Sequence, residues 1–95
     1  MPHDYNASLR VAQMEKAAGH YDAAITACDH GLSRNPGVLG RSWLLQTKAE
    51  ALQQKGQSAE ARRALEQALE SAQRIPLQQS RENNLKRIKQ ALAAP

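Results

Sequence analysis

The sequence predicts an all-α fold built of stacked helical hairpins, and three observations carry that expectation. The first is composition: 17 of the 95 residues are Ala, only five are Val or Ile, Phe is missing, and Tyr5, Tyr21 and Trp43 are the only aromatics. A sheet core draws on β-branched and aromatic side chains, whereas Ala, Leu, Gln, Glu, Arg and Lys favour helix. The second is punctuation. Gly19, Asn35-Pro36-Gly37, Gly56 and Ile75-Pro76 cut the chain into segments of helical length. The third is self-similarity at 37 residues, the distance from Gly19 to Gly56, which also superposes Ala12 on Ala49, Ala24 on Ala61, Gly31 on Ala68 and Leu32 on Leu69. A plain helical bundle explains the amphipathic segments but not a shared offset.

Each segment has its own justification. A first helix over about Ala7–Ala18 carries Leu9, Val11, Ala12 and Met14 as its apolar residues, with Asn6 or Asp4 as N-cap. A second, about Tyr21–Ser33, sets Ala24, Ile25, Cys28 and Leu32 on one stripe. A third, about Leu39–Lys55, carries Leu44, Leu45, Ala49, Ala51 and Leu52. The fourth, about Ala59–Gln73, has Ser58 as N-cap and buries Ala61, Leu65, Ala68, Leu69 and Ala72. The last, about Leu77–Ala93, offers one narrow apolar face of Leu85, Ile88 and Leu92. Gly19 and Gly56 permit the positive φ that ends one helix and reverses the chain. Ala12, Ala24, Ala49 and Ala61 are small where two helices are expected to cross. A lone hairpin cannot bury its apolar face, so the units must stack into a single domain over 1–95, with repeat one about 6–36, repeat two about 40–75 and a capping helix about 77–93.

Charge and targeting signals narrow the function. The net charge is +4, and all of it falls in the second half of the chain, where Arg74, Arg81, Lys86, Arg87 and Lys89 oppose only Glu82 between positions 74 and 90. A solvated helix face accounts for this run better than nucleic-acid binding, because no aromatic stacking platform lies beyond Trp43. No apolar run approaches the ~18 residues a membrane span requires, so no membrane partner is expected. Met1-Pro2-His3-Asp4 lacks the basic head and apolar stretch of a signal peptide, and a cytoplasmic location is the expectation unless the chain is part of an exported protein.

The repeated residues resemble the tetratricopeptide repeat family, whose pattern runs Trp-x2-Leu-Gly-x2-Tyr, Gly-x-Tyr, Ala-x3-Phe-x2-Ala and Pro. The first unit reads Ser8-x2-Val11-Ala12-x2-Glu15, Gly19-His20-Tyr21, Ala24-x3-Cys28-x2-Gly31 and Pro36. The second reads Leu45-x2-Lys48-Ala49-x2-Leu52, Gly56-Gln57-Ser58 and Ala61-x3-Leu65-x2-Ala68. Neither unit has the initial Trp, Lys48 replaces an apolar residue, and Gln73 stands where a second Pro belongs. The 37-residue spacing, against 34 in the family, fits a three-residue insertion at Asn35–Gly40. The resemblance covers about residues 6–75 and implies a right-handed superhelical stack of two hairpins closed by one capping helix.

No catalytic set emerges from the residues. Cys28 lies on the inward stripe, where the matched residue is Leu65, so packing explains it better than nucleophilic chemistry. His20 and His30 lack metal-ligand spacing, His3 is terminal, and no phosphate loop, nucleotide fingerprint or Ser/His/Asp set occurs. The expectation is a non-enzyme with no cofactor and no metal. What the resemblance implies instead is a protein-interaction module whose first helices line a concave groove for a peptide or a partner helix. Carried onto this chain, the groove comprises Leu9, Arg10, Gln13 and Lys16 from the first unit and Trp43, Gln46, Thr47, Glu50 and Gln53 from the second, flanked by Asn83, Lys86, Arg87 and Gln90. Gln and Asn can satisfy an extended backbone, Lys and Arg can meet its carboxylates, and Trp43 is either an anchor or a packing residue at the seam between units. The family variant that clamps chaperone tails is excluded by Leu9 and Gln13, which stand where Lys and Asn are required. Two other readings remain open: a spacer, regulatory or oligomerisation domain of a larger protein, and a basic nucleic-acid-binding helical domain. Two repeats make a shallow groove, which also admits a weak homodimer.

Overall fold

The computed structural model describes residues 5–94 and contains five α-helices in chain order: α1 (Asn6–Ala17), α2 (Tyr21–Ser33), α3 (Gly37–Gln54), α4 (Ser58–Gln73) and α5 (Gln78–Ala93). Ala and Leu dominate their interiors and Gly or Pro dominates their joints, which is why the breaks fall where they do.

The offset seen in the sequence is repeated bond for bond at the two hairpin turns. At the first, the Gly19 N–H donates to the Lys16 carbonyl (3.0 Å), His20 to Glu15 (2.8 Å) and Ala24 to His20 (3.0 Å). At the second, Gly56 donates to Gln53 (3.0 Å), Gln57 to Leu52 (2.9 Å) and Ala61 to Gln57 (3.0 Å). Gly19 and Gly56 have φ of +84° and +82°, the left-handed conformation that satisfies the last carbonyls of a helix and turns the chain back.

The helices are consecutive neighbours, and α3 touches all four others. The helices α1, α3 and α5 contact one another in sequence, whereas α2 and α4, both packed against α3, do not meet. Helices that approach on one side and splay on the other curve the stack, and the concave side is that of α1, α3 and α5. The molecule measures 35 × 33 × 18 Å, about two helix diameters thick.

The main apolar cluster belongs to the second hairpin and α5: Leu45, Ala49, Leu52, Ala61, Ala64, Leu65, Ala68, Ala72, Ile75 and Ile88. The first hairpin joins it through Ile25 and Leu32 of α2, which pack against that cluster, while Ala12, Ala24 and Cys28 are buried and Gly31 lies against Leu44. Three lysines reinforce this joint: Lys16 pairs with Glu50 (2.5 Å), Lys48 with Asp29 (2.7 Å) and Lys55 with Asp22.

Three local expectations need correction. The three extra residues between the units do not lengthen a loop. They start α3 early, at Gly37 rather than Leu39, so α3 has 18 residues where α1 has 12. Ser58 is the first helical residue, preceded by Gln57, whose side chain makes no capping bond. Asn6 likewise opens α1 inside the helix, and Asp4 lies outside the described residues. Of the apolar residues of α1, Val11 and Met14 are 50% and 65% exposed, because α1 has a neighbour on only one of its flanks.

A candidate protein-binding surface

The structure divides the expected groove residues into three groups. On α1, Leu9, Gln13 and Lys16 recur at i, i+4 and i+7 and so share a stripe. Lys16 fixes that stripe toward α3 through Glu50, Gln13 is exposed and Leu9 is half-buried, while Arg10 is exposed. On α3, Glu50 and Gln53 are exposed. On α5, Asn83, Lys86, Arg87 and Gln90 are exposed, Asn83 accepting a bond from Gln79 Nε2 (3.1 Å).

Thr47 is 3% exposed and lines none of the hollows on this side, whereas Gln46, 6% exposed, shows only an edge to one of them, because it sits in the α3–α5 contact. There it belongs to a closed polar network that the sequence did not announce. Gln46 Nε2 and Ser42 Oγ both donate to Asn84 Oδ1 at 2.8 Å, and Gln46 Nε2 also reaches Ser42 Oγ at 3.1 Å. Asn84 Nδ2 donates to the Ser80 carbonyl (2.8 Å), and Arg87 Nε donates to Gln46 Oε1 (3.4 Å). Among the described residues no buried side-chain polar atom lacks a partner, as burial of such groups requires. The one available signal was position: Asn84 stands four residues before Ile88, on the stripe that faces the core.

Trp43 lies at the same seam. It is half-buried, and the Arg87 guanidinium stacks over its ring at 5.2 Å from the centroid, a cation–π contact.

Below this seam the concave side opens into two adjoining hollows of about 220 and 260 Å³. Leu65 of α4 and Ala91 of α5 line both, Ala49 and Ala94 add apolar surface, Glu50 and Gln53 form the α3 wall, and Arg87 and Gln90 the α5 wall. The apolar floor thus lies between Glu50, which is paired with Lys16, and the Arg87 guanidinium.

Cys28 offers no nucleophile. It is fully buried, and burial, aided by the Asp29 charge, pushes its thiol up to about 12. Among the described residues no group of three His, Cys, Asp or Glu is arranged to hold a metal, and no helix is long and apolar enough to cross a membrane.

With this geometry in view, comparison with known families is informative: the tetratricopeptide repeat family matches residues 15–94. The chain belongs to the tetratricopeptide repeat family, whose members are typically non-catalytic modules that mediate protein–protein interaction. No curated protein and no solved structure gives a match.

Proposed function

We propose that the chain is a non-catalytic binding module that seats a peptide or helical segment of another protein on its concave side, in the crevice between α3 and α5. The observation that carries this reading is the crevice itself, with Leu65, Ala49 and Ala91 at its floor, Glu50 on one wall and Arg87 on the other. The floor supplies non-directional affinity, and the two walls orient a ligand by charge. Trp43, tucked beneath Arg87, reports occupancy through its fluorescence.

Selection of peptides from a random displayed library, followed by titration against Glu50→Arg and Arg87→Glu variants, tests the site. Each reversal should weaken the selected peptides by about tenfold while leaving the helical circular dichroism intact. Selected peptides that bind both variants as tightly as the parent chain would move the site elsewhere.

A further inference from the structure

A further hollow lies away from the concave side, on the open flank of the first hairpin between α1 and α2; it has a volume of about 730 Å³ and is lined by Ala7, Ser8, Val11, Ala23, Thr26, Ala27, His30 and Arg34. Beside it Met14 is 65% exposed, and Val11, on its rim, is 50% exposed. These are two of the three large hydrophobics the described chain leaves in water.

The chemistry of this flank restricts what can cover it. The sides of α1 and α2 present no free backbone groups, since their amides and carbonyls are used within the helices. An extended peptide laid against Ala and Val would leave its own amides without partners. A helix satisfies its backbone internally, and the small Ala7, Ala23 and Ala27 allow it to approach closely, as Ala24 and Gly31 allow within the fold. The length of α1, 12 residues, sets the span of an occupant at about 18 Å, or three turns.

Charge then selects among helices. Arg34, which is exposed, and His30 line the hollow, and no acid is among the lining residues. A second copy docked hollow to hollow would therefore bring no carboxylate from its own lining to Arg34. A partner that brings its own carboxylates complements Arg34.

We propose that the α1–α2 flank is a second docking surface, which receives an acidic amphipathic helix of a partner protein: an apolar ridge in the hollow, with Asp or Glu beside Arg34. It is separate from the α3–α5 crevice, and a ligand can occupy either without the other.

The test uses a stapled, fluorescein-labelled helical peptide of about four turns with a Leu/Ala ridge flanked by Glu, a twin carrying Lys for Glu, and a proline-interrupted Glu version. Anisotropy titration of the full chain should give binding of the Glu helix, at least about tenfold weaker binding of the Lys twin, and none of the interrupted peptide. Arg34→Glu should reverse the preference between the two helices, and Val11→Lys should abolish binding. Val11 and Arg34 are exposed, so circular dichroism of both variants should match the parent. Arg87→Glu, on a helix that does not touch α1 or α2, should leave this binding unchanged, which separates it from the concave site. Equal affinity for both charge versions, retention of the interrupted peptide, loss on Arg87→Glu, or a dimer in sedimentation equilibrium that Val11→Lys dissociates would each overturn the proposal.

Discussion

A methyl group added at Gly31 would lie 2.8 Å from Ser8 Cβ and 2.9 Å from Leu44 Cδ1, closer than carbon atoms pack. Gly31→Ala must therefore push α1 or Leu44 aside, and urea denaturation should register a loss of about 1–3 kcal/mol. Gly19 is limited by a different cause: nothing lies within 4 Å of its added methyl, but φ is +84°. Gly19→Ala should cost about 1 kcal/mol through backbone strain alone, and a Gly19→Asn variant, whose side chain tolerates that conformation, should recover part of it. Cys28 gives a pH signature. The thiol in the unfolded chain titrates near 9, while the buried one holds its proton up to about 12. Stability from this group is therefore complete below pH 9 and drains away as pH rises from 9 to 12. The urea midpoint of the parent chain should fall more steeply over that window than that of Cys28→Ala.

At the scale of elements, α1 and α5 are attached by different means. No residue of α1 enters the main apolar cluster, and its ties are small buried groups and the Lys16–Glu50 pair. Native-state hydrogen exchange should find the α1 amides opening well before those of α3 and α4, and equal protection would show that α1 is held by more than these contacts. On the other side, Asn84→Leu would leave Ser42 Oγ and Gln46 Nε2 buried with their shared acceptor gone. The expected loss is about 1–3 kcal/mol by thermal or urea unfolding, despite the gain of an apolar side chain. These two helices also mark the limit of what the sequence discloses. Helix positions were legible because Gly and Pro act locally, and the turn geometry because the same bonds need the same residues 37 positions apart. Val11, Met14, Gln46 and Asn84 were not legible, because exposure depends on which neighbours a helix has. A periodic pattern records apolar chemistry, so it cannot distinguish an apolar residue facing water from one facing a neighbour. It likewise gives no hint that a Gln and an Asn will satisfy each other inside.

Taken whole, the molecule has its main apolar cluster in the second hairpin and α5, and the first hairpin reaches it chiefly through Ile25 and Leu32. Ile75 and Ile88, respectively 1% and 0% exposed, close that cluster from the C-terminal side. A chain ending after Arg74 should therefore lose the cooperative thermal transition seen by circular dichroism, because the second hairpin would keep its apolar face in water. The concave residues were legible to the extent that the helices which carry them were. Glu50, Gln53, Arg87 and Gln90 do line the crevice, but its floor at Leu65 comes from α4, an outer helix that periodicity assigns to the core alone.

The Ser42–Gln46–Asn84 triangle has one last consequence. Apolar contacts alone would let α5 skid along its neighbours by a turn at little cost, whereas hydrogen bonds at 2.8 Å are all lost together in any other alignment. The final helix thus clicks into a single notch, and the crevice is a trough whose width is already set. On the proposed reading of that crevice, recognition should proceed as lock-and-key docking, with an association rate governed by encounter and ionic strength rather than by any rearrangement of the host.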